Sequence, residues 1–313
     1  MFIATDHVQG NTMRTLTAPL SANRTALGIL SGLAAASIWG AMYVVSKVVL
    51  DVIPPFTLIF TRLVLGGLAL WLLLALRGGL HVSARQFWQV FAVGLVGYGV
   101  SLGFQFIGTK LSTAANGSLV TSATPAFILL FASLILKERI TPRRLIALLI
   151  STLGVVAVID PRSARLEPGL FLGNLSLLAA ALTWALYSVL IRLVTRQLDV
   201  LTVSLIAFMG GLPVVIPAGL WETSTQGIGQ ITPGIVAGVL FLGIICTALA
   251  MALWNNSFAA LDASVASLTF FAQPVVGSLL GWFFLKESIT PLFILGGLLI
   301  AAGLVVASRE TAS

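Results

Sequence analysis

Charge is scarce in this sequence. Only 9% of its 313 residues are Asp, Glu, Lys or Arg, while 58% are hydrophobic. Soluble domains contain about 25% charged residues. The mean hydropathy is +1.07, which is more apolar surface than a soluble fold can bury. The apolar runs reach about 20 residues, the length that an α-helix needs to cross a bilayer. The composition therefore predicts an all-α membrane protein that spans the lipid bilayer several times.

Groups for catalysis or metal binding are also few. The two histidines, His7 and His81, lie outside the apolar runs, and Cys246 is the one cysteine, so no disulfide can form within the chain. No phosphate-binding G-x-x-x-x-G-K-[ST] loop is present, so the chain has no mark of an ATP-driven motor. We therefore expect no enzyme activity, no metal and no cofactor. The net charge of +7 does not indicate a nucleic-acid partner, because the basic residues lie at helix ends, where they set orientation.

Ten apolar spans follow a polar stretch, 1–26, which is predicted to be a mobile N-terminal tail. The spans are predicted at 27–50, 56–76, 87–107, 113–136, 143–160, 169–194, 200–220, 233–258, 264–285 and 291–308. Pro and Gly pairs mark several of the short turns between them. Every acidic residue is peripheral, and none lies centrally in a predicted span. Carriers driven by protons usually hold a carboxylate inside the membrane, so we expect facilitated movement or exchange without a carboxylate relay.

One stretch occurs twice. Residues 118–142 return as residues 267–291 at a constant offset of 149, with 11 of 25 positions identical. Each copy is an apolar run with a proline, Pro125 or Pro274, near its middle, and each ends in Leu-Lys-Glu-x-Ile-Thr-Pro. A proline inside a helix removes a backbone hydrogen bond. The repetition predicts a duplicated unit with a bend, or structural hinge, at each proline.

The duplication extends to the whole chain. The first and sixth spans share an Ala-Ala-x-x-Trp pattern ending at Trp39 and Trp184, which divides the chain into halves at 27–160 and 169–308. Five spans per half is an odd number, so the second half must be inverted in the membrane. Eleven Lys or Arg residues fall on the face that holds the N-terminus and five on the other. The positive-inside rule then places both termini in the cytoplasm. Inverted repeats are common in secondary transporters, whose site lies between the halves.

These repeated motifs resemble the drug/metabolite transporter superfamily, in its ten-helix EamA-type branch. The resemblance covers nearly the whole chain, and within the branch the sequence is most similar to bacterial exporters of aromatic amino acids. It implies ten helices as two inverted five-helix repeats around a central cavity. It also implies export of small metabolites across the bacterial inner membrane.

Aromatic residues in the first and sixth spans are candidates for the cavity wall. Trp39 and Tyr43 are four residues apart and Trp184 and Tyr187 three apart, so each pair shares a helix face. All four lie mid-span, away from the interfacial depth at which aromatic residues anchor helices. They either pack helices together or stack on flat substrates.

Two charged residues come nearest to the membrane interior, Lys47 and Arg62. A charge at the bilayer centre costs roughly 2.5–3.5 kcal/mol or more. One interpretation is that both reach the outer surface or pair with Asp51. In the other, Lys47 faces the cavity and attracts a substrate carboxylate.

Polar residues within the spans complete the candidate substrate-binding set. Asn116 and Thr121 precede Pro125, and Gln273 precedes Pro274. They either satisfy carbonyl groups freed by the prolines or bind polar parts of a substrate. The further candidates are Tyr98, Gln105 and Asn255, with helix capping as the alternative for Asn255.

The sequence thus predicts a monomeric secondary transporter that exports a small molecule, and it favours an amino acid with an aromatic side chain. Export of other metabolites or of lipophilic cations, and a passive channel, are the alternatives. A membrane-embedded enzyme is disfavoured because the spans lack a catalytic set.

Overall fold

The computed structural model describes residues 22–80, 82–112, 120–121, 123–159, 168–196, 198–285 and 291–311. Ten membrane helices are present in these ranges. They are α1 Ala22–Leu50, α2 Pro55–Leu76, α3 Ala84–Leu111, α4 Thr124–Leu136, α5 Pro142–Ile159, α6 Phe171–Val194, α7 Val200–Gln226, α8 Pro233–Ala260, α9 263–285 and α10 Pro291–Thr311. Each predicted span has its helix, although the start of the fourth span lies outside the described residues.

Local capping signals explain where several helices begin. Ser83 and Gln86 form a reciprocal capping box at the start of α3. The Asp199 carboxylate accepts hydrogen bonds from the amides of Leu201 and Thr202 at the start of α7. The Thr232 hydroxyl accepts a hydrogen bond from the Ile235 amide at the start of α8. These caps satisfy amides that have no partner within their own helix.

Irregular helical turns recur at equivalent places in the two halves. The third helix of each half contains a π-helical segment, Leu95–Ser101 in α3 and Phe241–Leu249 in α8. Such wide turns are rare and often mark functional sites. In α9 a 3₁₀ turn, Thr269–Phe271, separates two α-helical parts.

Both repeated prolines follow an interruption of the helix. Pro125 lies in the first turn of α4, and Pro274 lies in the first turn after the 3₁₀ segment of α9. The sequence predicts each proline in the middle of a helix, with a bend there. A first-turn position instead costs no hydrogen bond, because that amide has no acceptor within the helix.

The helices of the two halves pack in equivalent pairs, as an inverted repeat requires. Helix α1 packs against α8 and α9, and its counterpart α6 packs against α3 and α4. The two second helices, α2 and α7, pack on each other, and so do the two fifth helices, α5 and α10. The fold is therefore two inverted five-helix repeats around a common centre.

Small residues allow the closest of these contacts. A Cβ atom added at Gly94 of α3 would meet the backbone of Ala207 in α7. A Cβ atom added at Gly40 of α1 would lie 2.7 Å from the carbonyl oxygen of Gln273 in α9. The glycines of α1 and α3 therefore serve helix contact between the halves.

The outer surface is apolar. Large hydrophobic side chains such as Trp71, Leu153 and Leu298 are exposed, while Trp254, Tyr98 and Tyr187 are buried at the centre. This distribution fits a multi-pass membrane protein, whose outer surface contacts lipid tails instead of water.

Candidate functional site: a central aromatic cavity

A small cavity lies between the two halves. Helices α1, α3, α4, α6, α8 and α9 contribute its walls. The lining residues are Trp39, Met42, Tyr43, Ser101, Leu102, Gln105, Thr121, Thr124, Ala180, Ala181, Trp184, Met251, Phe270 and Gln273. Its volume is about 30 Å³, which is room for a single water molecule. A metabolite therefore requires movement of the surrounding side chains.

The walls come from equivalent residues of the two repeats. Trp39 and Trp184, the paired tryptophans of the sequence repeat, both line the cavity, with ring centroids 5.7 Å apart in an edge-to-face arrangement. Thr124 and Gln273, each directly before its repeated proline, line it as well. The cavity thus lies where equivalent residues of the two halves meet.

Trp39 is fixed by an unusual hydrogen bond. Its indole Nε1–H donates to the Cys246 carbonyl oxygen at 3.1 Å, within the π-helical segment of α8. Phe270 and Trp254 pack around the same ring, at centroid distances of 6.2 and 5.3 Å. The π-helical turn provides a carbonyl group that holds one aromatic wall in place.

Trp184 differs from its counterpart in this respect. Its ring packs against Tyr98 and Tyr187. Its indole Nε1 is buried and has no hydrogen-bond partner within the described part of the chain. A buried donor without an acceptor is costly. Trp184 lines the cavity, so a bound molecule whose acceptor group reached Nε1 would satisfy this donor.

One end of the cavity is polar. Gln105 donates a hydrogen bond from Nε2 to the Tyr43 hydroxyl oxygen at 3.1 Å. Thr121 and Gln273 lie beside the same hydroxyl group. The cavity therefore combines stacking surfaces with a cluster of neutral donors and acceptors, the composition typical of small-molecule sites.

A buried hydrogen-bonded chain lies behind the aromatic wall. The Tyr98 and Tyr187 hydroxyl groups are 2.7 Å apart. Tyr187 donates to Asn255 Oδ1 at 3.0 Å, and Asn255 Nδ2 donates to the Ser204 hydroxyl at 2.9 Å. This chain joins α3, α6, α8 and α7. Asn255 therefore serves this network, and capping is not its role.

A cluster of charged residues lies at the N-terminal face, the membrane face at which α1 begins. Arg144 contacts Glu138 at 3.3 Å and Asp262 at 2.6 Å, while Arg192 contacts Asp262 at 2.8 Å and Glu138 at 3.6 Å. Glu138 and Arg144 belong to the first repeat, and Arg192 and Asp262 to the second. We call these four residues the inter-repeat ion cluster.

Backbone groups reinforce the cluster. The Glu138 carboxylate accepts hydrogen bonds from the amides of Ala263 and Ser264 and from the Ser264 hydroxyl. It thereby occupies the positive N-terminal end of α9. Arg192 also donates to the Phe258 carbonyl oxygen at 3.0 Å. Between this cluster and the cavity lie the Tyr98–Ser204 chain and the buried Trp254, so the N-terminal face is closed in this structure.

At the opposite face, Glu222 has a structural role. Helix α7 extends past the predicted end of its span, so Glu222 lies in its last turns and is buried. Its carboxylate accepts hydrogen bonds from the Phe56 amide at 2.6 Å and the Thr57 amide at 3.3 Å. The sequence predicts this residue outside the spans, whereas in the structure its carboxylate caps the start of α2.

The predicted site residues divide into four groups. Trp39, Tyr43, Gln105, Thr121, Trp184 and Gln273 line the cavity. Tyr98, Tyr187 and Asn255 are buried behind its wall. Lys47 is exposed on the outside of α1 and does not line the cavity, while the neighbouring Ser46 is buried. Asn116 lies outside the described residues.

Sequence reasoning did not identify several residues of the wall. Met42, Phe270 and Met251 are indistinguishable from ordinary apolar residues of a membrane helix, so nothing in the sequence indicated them. Ser101 could have been identified, because it is a hydroxyl residue within an apolar stretch. In the structure its hydroxyl donates a hydrogen bond to the Ala180 carbonyl oxygen at 3.0 Å.

Comparison with known proteins agrees with this architecture. A sequence model described as the EamA-like transporter family matches residues 26–159 and 171–309. The chain is 24% identical over 276 residues to an uncharacterized transporter of Archaeoglobus fulgidus, covering 87% of this chain and 94% of the relative. It is 25% identical over 283 residues to the uncharacterized transporter YoaV of Bacillus subtilis, covering 89% and 94%.

A third relative is the protein PecM of Dickeya dadantii, 24% identical over 272 residues and covering 86% of this chain and 88% of the relative. A solved crystal structure superposes with a TM-score of 0.75 at 23% identity, covering 92% of this chain and 99% of the other. That likeness extends to the fold alone. With two family matches that together span most of the chain, and with ten helices in two inverted repeats, this membrane transporter belongs to the EamA-like transporter family.

Proposed function

We propose that this transporter exports small metabolites, with aromatic amino acids favoured, across the bacterial inner membrane by alternating access. The observation that carries the proposal is the position of the cavity. Equivalent residues of both repeats, Trp39 with Trp184 and Thr124 with Gln273, meet at its walls. A site between two inverted repeats can be reached from either face of the membrane when one repeat moves against the other.

The chemistry of the walls supports a flat apolar substrate with a polar end. Trp39, Trp184 and Phe270 offer ring surfaces, and aromatic rings in edge or offset contact gain about 0.5–1.5 kcal/mol beyond burial. Tyr43, Gln105 and Gln273 are grouped on one side for hydrogen bonding.

The inter-repeat ion cluster supports alternating access. It joins residues of both repeats across the N-terminal face, so opening that face requires these ion pairs to separate. With the termini in the cytoplasm, as the distribution of basic residues favours, the present conformation is closed toward the cytoplasm. The cluster would then form and break once in each transport cycle.

Facilitated diffusion or exchange is the proposed mode of transport. Among the described lining residues of the cavity there is no carboxylate, so a proton relay of the kind common in coupled carriers has no acceptor there. Substrate binding itself would bias the equilibrium between the two faces.

Counterflow into proteoliposomes tests the proposal. Vesicles that contain the purified protein are preloaded with unlabelled phenylalanine, tryptophan, threonine or glutamate, and labelled phenylalanine is added outside. We expect saturable uptake of label with the aromatic preloads. The Trp184→Ala variant should lose this uptake, whereas Trp71→Ala, which removes an exposed tryptophan of α2, should retain it.

The other results separate the alternatives. Uptake that does not saturate and does not depend on the preload would indicate a passive channel. Saturable counterflow only with a lipophilic cation would indicate that the substrate belongs to that class. Equal activity of the Trp184→Ala and Trp71→Ala variants would exclude the aromatic cavity as the binding site.

A further inference from the structure

Arg62 is a fully buried cation within the membrane. It lies on α2, seven residues after Pro55, which corresponds to a depth of about 10 Å along the helix. Its exposed fraction is 1%, and it is among the largest buried side chains of the chain. It therefore does not reach the membrane surface, which contradicts the interpretation that Lys47 and Arg62 both extend to the outer face.

The contacts of Arg62 are few and weak. Its Nε–H donates to the Thr247 hydroxyl at 3.1 Å, and one terminal nitrogen, Nη2, donates to the Met42 sulfur at 3.4 Å. The Thr247 hydroxyl in turn donates to the Leu242 carbonyl oxygen at 2.7 Å, so it can only accept from Arg62. The guanidinium also lies over the Phe106 ring, 5.0 Å from its centroid. A thioether is a weak acceptor, and none of these partners carries a negative charge.

The remaining nitrogen has no partner. Arg62 Nη1 is buried without a hydrogen bond in the described ranges, and no acidic side chain there forms an ion pair with Arg62. Neither of the two described acidic residues at that end of the helices pairs with it. Glu222 caps α2 through the amides of Phe56 and Thr57, and Asp51 is exposed. A buried charge is normally paired, so within the described part of the chain this guanidinium lacks the anion that its burial requires.

The cavity lies next to this buried cation. Met42 contacts Arg62 and also lines the cavity. Leu102 lines the cavity too, and Phe106 follows it by one turn of α3. The Met42 side chain thus contacts both the guanidinium and the cavity. Methionine is unbranched and flexible, so a change of its rotamer would expose Nη1 and Nη2 to a bound molecule.

From this arrangement we propose that Arg62 binds the carboxylate of the substrate, so that the transporter selects aromatic molecules that carry a carboxylate. Arginine matches the two oxygens of a carboxylate with parallel N–H groups. The inference rests on the proposed function, since it assigns a substrate class to the same cavity. The unpartnered Trp184 indole N–H offers a second donor to such an acceptor-rich molecule.

Equilibrium binding tests the inference without requiring transport. Tryptophan fluorescence of the purified protein is titrated with phenylalanine, with 3-phenylpropionate, which lacks the amine, and with phenylalaninamide, which lacks the carboxylate. We expect the two acids to bind about ten- to a hundredfold more tightly than the amide, the range for a hydrogen-bonded charged group.

Variants then assign this preference to one side chain. Arg62→Gln should weaken binding of both acids to the level of the amide and leave the amide unchanged. Arg62→Lys keeps the charge without the paired N–H groups and should fall in between. Arg77→Gln, at the exposed C-terminal end of the same helix, should match the wild type.

Four results would overturn the inference. They are equal wild-type affinity for acids and amide, no binding of either acid by the wild type, an equal loss for all three probes in Arg62→Gln, or unchanged affinities in that variant. The first two need only the wild-type protein, so they decide the question even if the variant does not fold. Selective binding of acids without counterflow would contradict the proposed function alone, whereas counterflow without preference for acids would contradict the role of Arg62 alone.

Discussion

Arg144 and Asp262 meet at 2.6 Å across the boundary between the two repeats. Their side chains are only partly exposed, at 10% and 36%. Each also contacts a second member of the inter-repeat ion cluster, so the four charges form a closed arrangement of alternating sign. Networks of this kind are stronger than isolated surface pairs.

Asp262→Asn should loosen the N-terminal face. Asp262 makes no side-chain capping bond in α9, so the substitution removes ion pairs and retains the cap residue. Cys246, the one cysteine, is first replaced by alanine, and Ser257→Cys introduces a thiol on α8 beside Phe258. We expect maleimide added from the N-terminal face to label this thiol several-fold faster in the Asp262→Asn background.

Arg196→Gln provides the control for that experiment, because Arg196 is exposed and lies next to the cluster without belonging to it. Its labelling rate should equal that of the parent. Equal rates in Asp262→Asn and in the parent would show that the cluster does not hold this face closed.

Trp39→Phe should destabilise the fold by about 1 kcal/mol relative to Trp184→Phe. Both substitutions keep an aromatic ring at the cavity wall. The first also leaves the buried Cys246 carbonyl without its indole donor, whereas the second removes a donor that has no partner in the described residues. Thermal unfolding in detergent, with matched protein and lipid concentrations, gives the difference. A lower melting temperature for the Trp184 variant would contradict this account.

Asn255→Leu should cost about 1–3 kcal/mol of stability, because the buried hydroxyl groups of Tyr187 and Ser204 both lose a partner. The adjacent Asn256→Leu is the matched control. Asn256 donates one hydrogen bond to Ser31 and is only half-buried, so its loss should be smaller. Comparable losses would mean that the Tyr98–Ser204 chain contributes little beyond an ordinary contact.

Gly94→Ala and Gly67→Ala should change the stability of the protein in opposite directions. A Cβ atom at Gly94 meets the Ala207 backbone, so α3 and α7 must separate and the protein should be clearly destabilised. At Gly67 the nearest atom is a leucine methyl group 3.8 Å away. Alanine there should stabilise helix α2 by up to about 1 kcal/mol. Melting temperatures of both variants check the prediction, and equal behaviour would contradict the close packing of α3 on α7.

Much of the architecture could be predicted from the sequence, because a membrane limits the choices. Apolar runs of spanning length indicated the helices, and the repeat of 118–142 at 267–291 indicated the duplication. The cavity tryptophans could be found for the same reason. Trp39 and Trp184 are equivalent residues, and equivalent residues of inverted repeats meet near the shared centre.

The direction in which a residue faces could not be predicted. Helix α1 is apolar on all sides, so its sequence does not indicate which side faces lipid. Adjacent residues differ by about 100° around a helix, and Ser46 is buried while Lys47 is exposed. The same limit applied to Arg62, whose depth was visible in the sequence and whose burial was not. The π-helical segments also left no sequence signal, although one of them provides the carbonyl group that holds Trp39.

The pairing of α5 with α10 bears on how the halves can move. Neither helix contributes a described residue to the cavity wall. Together with part of α9 they form a second apolar core, around Ala147, Val155, Phe271 and Ile300, that is separate from the main one. Close backbone approach at Gly154 and Gly303 keeps this pair tight. A rotation of one half about the line of α5 and α10 would reshape the cavity while preserving this core, so the pair is suited to serve as the axis of the motion.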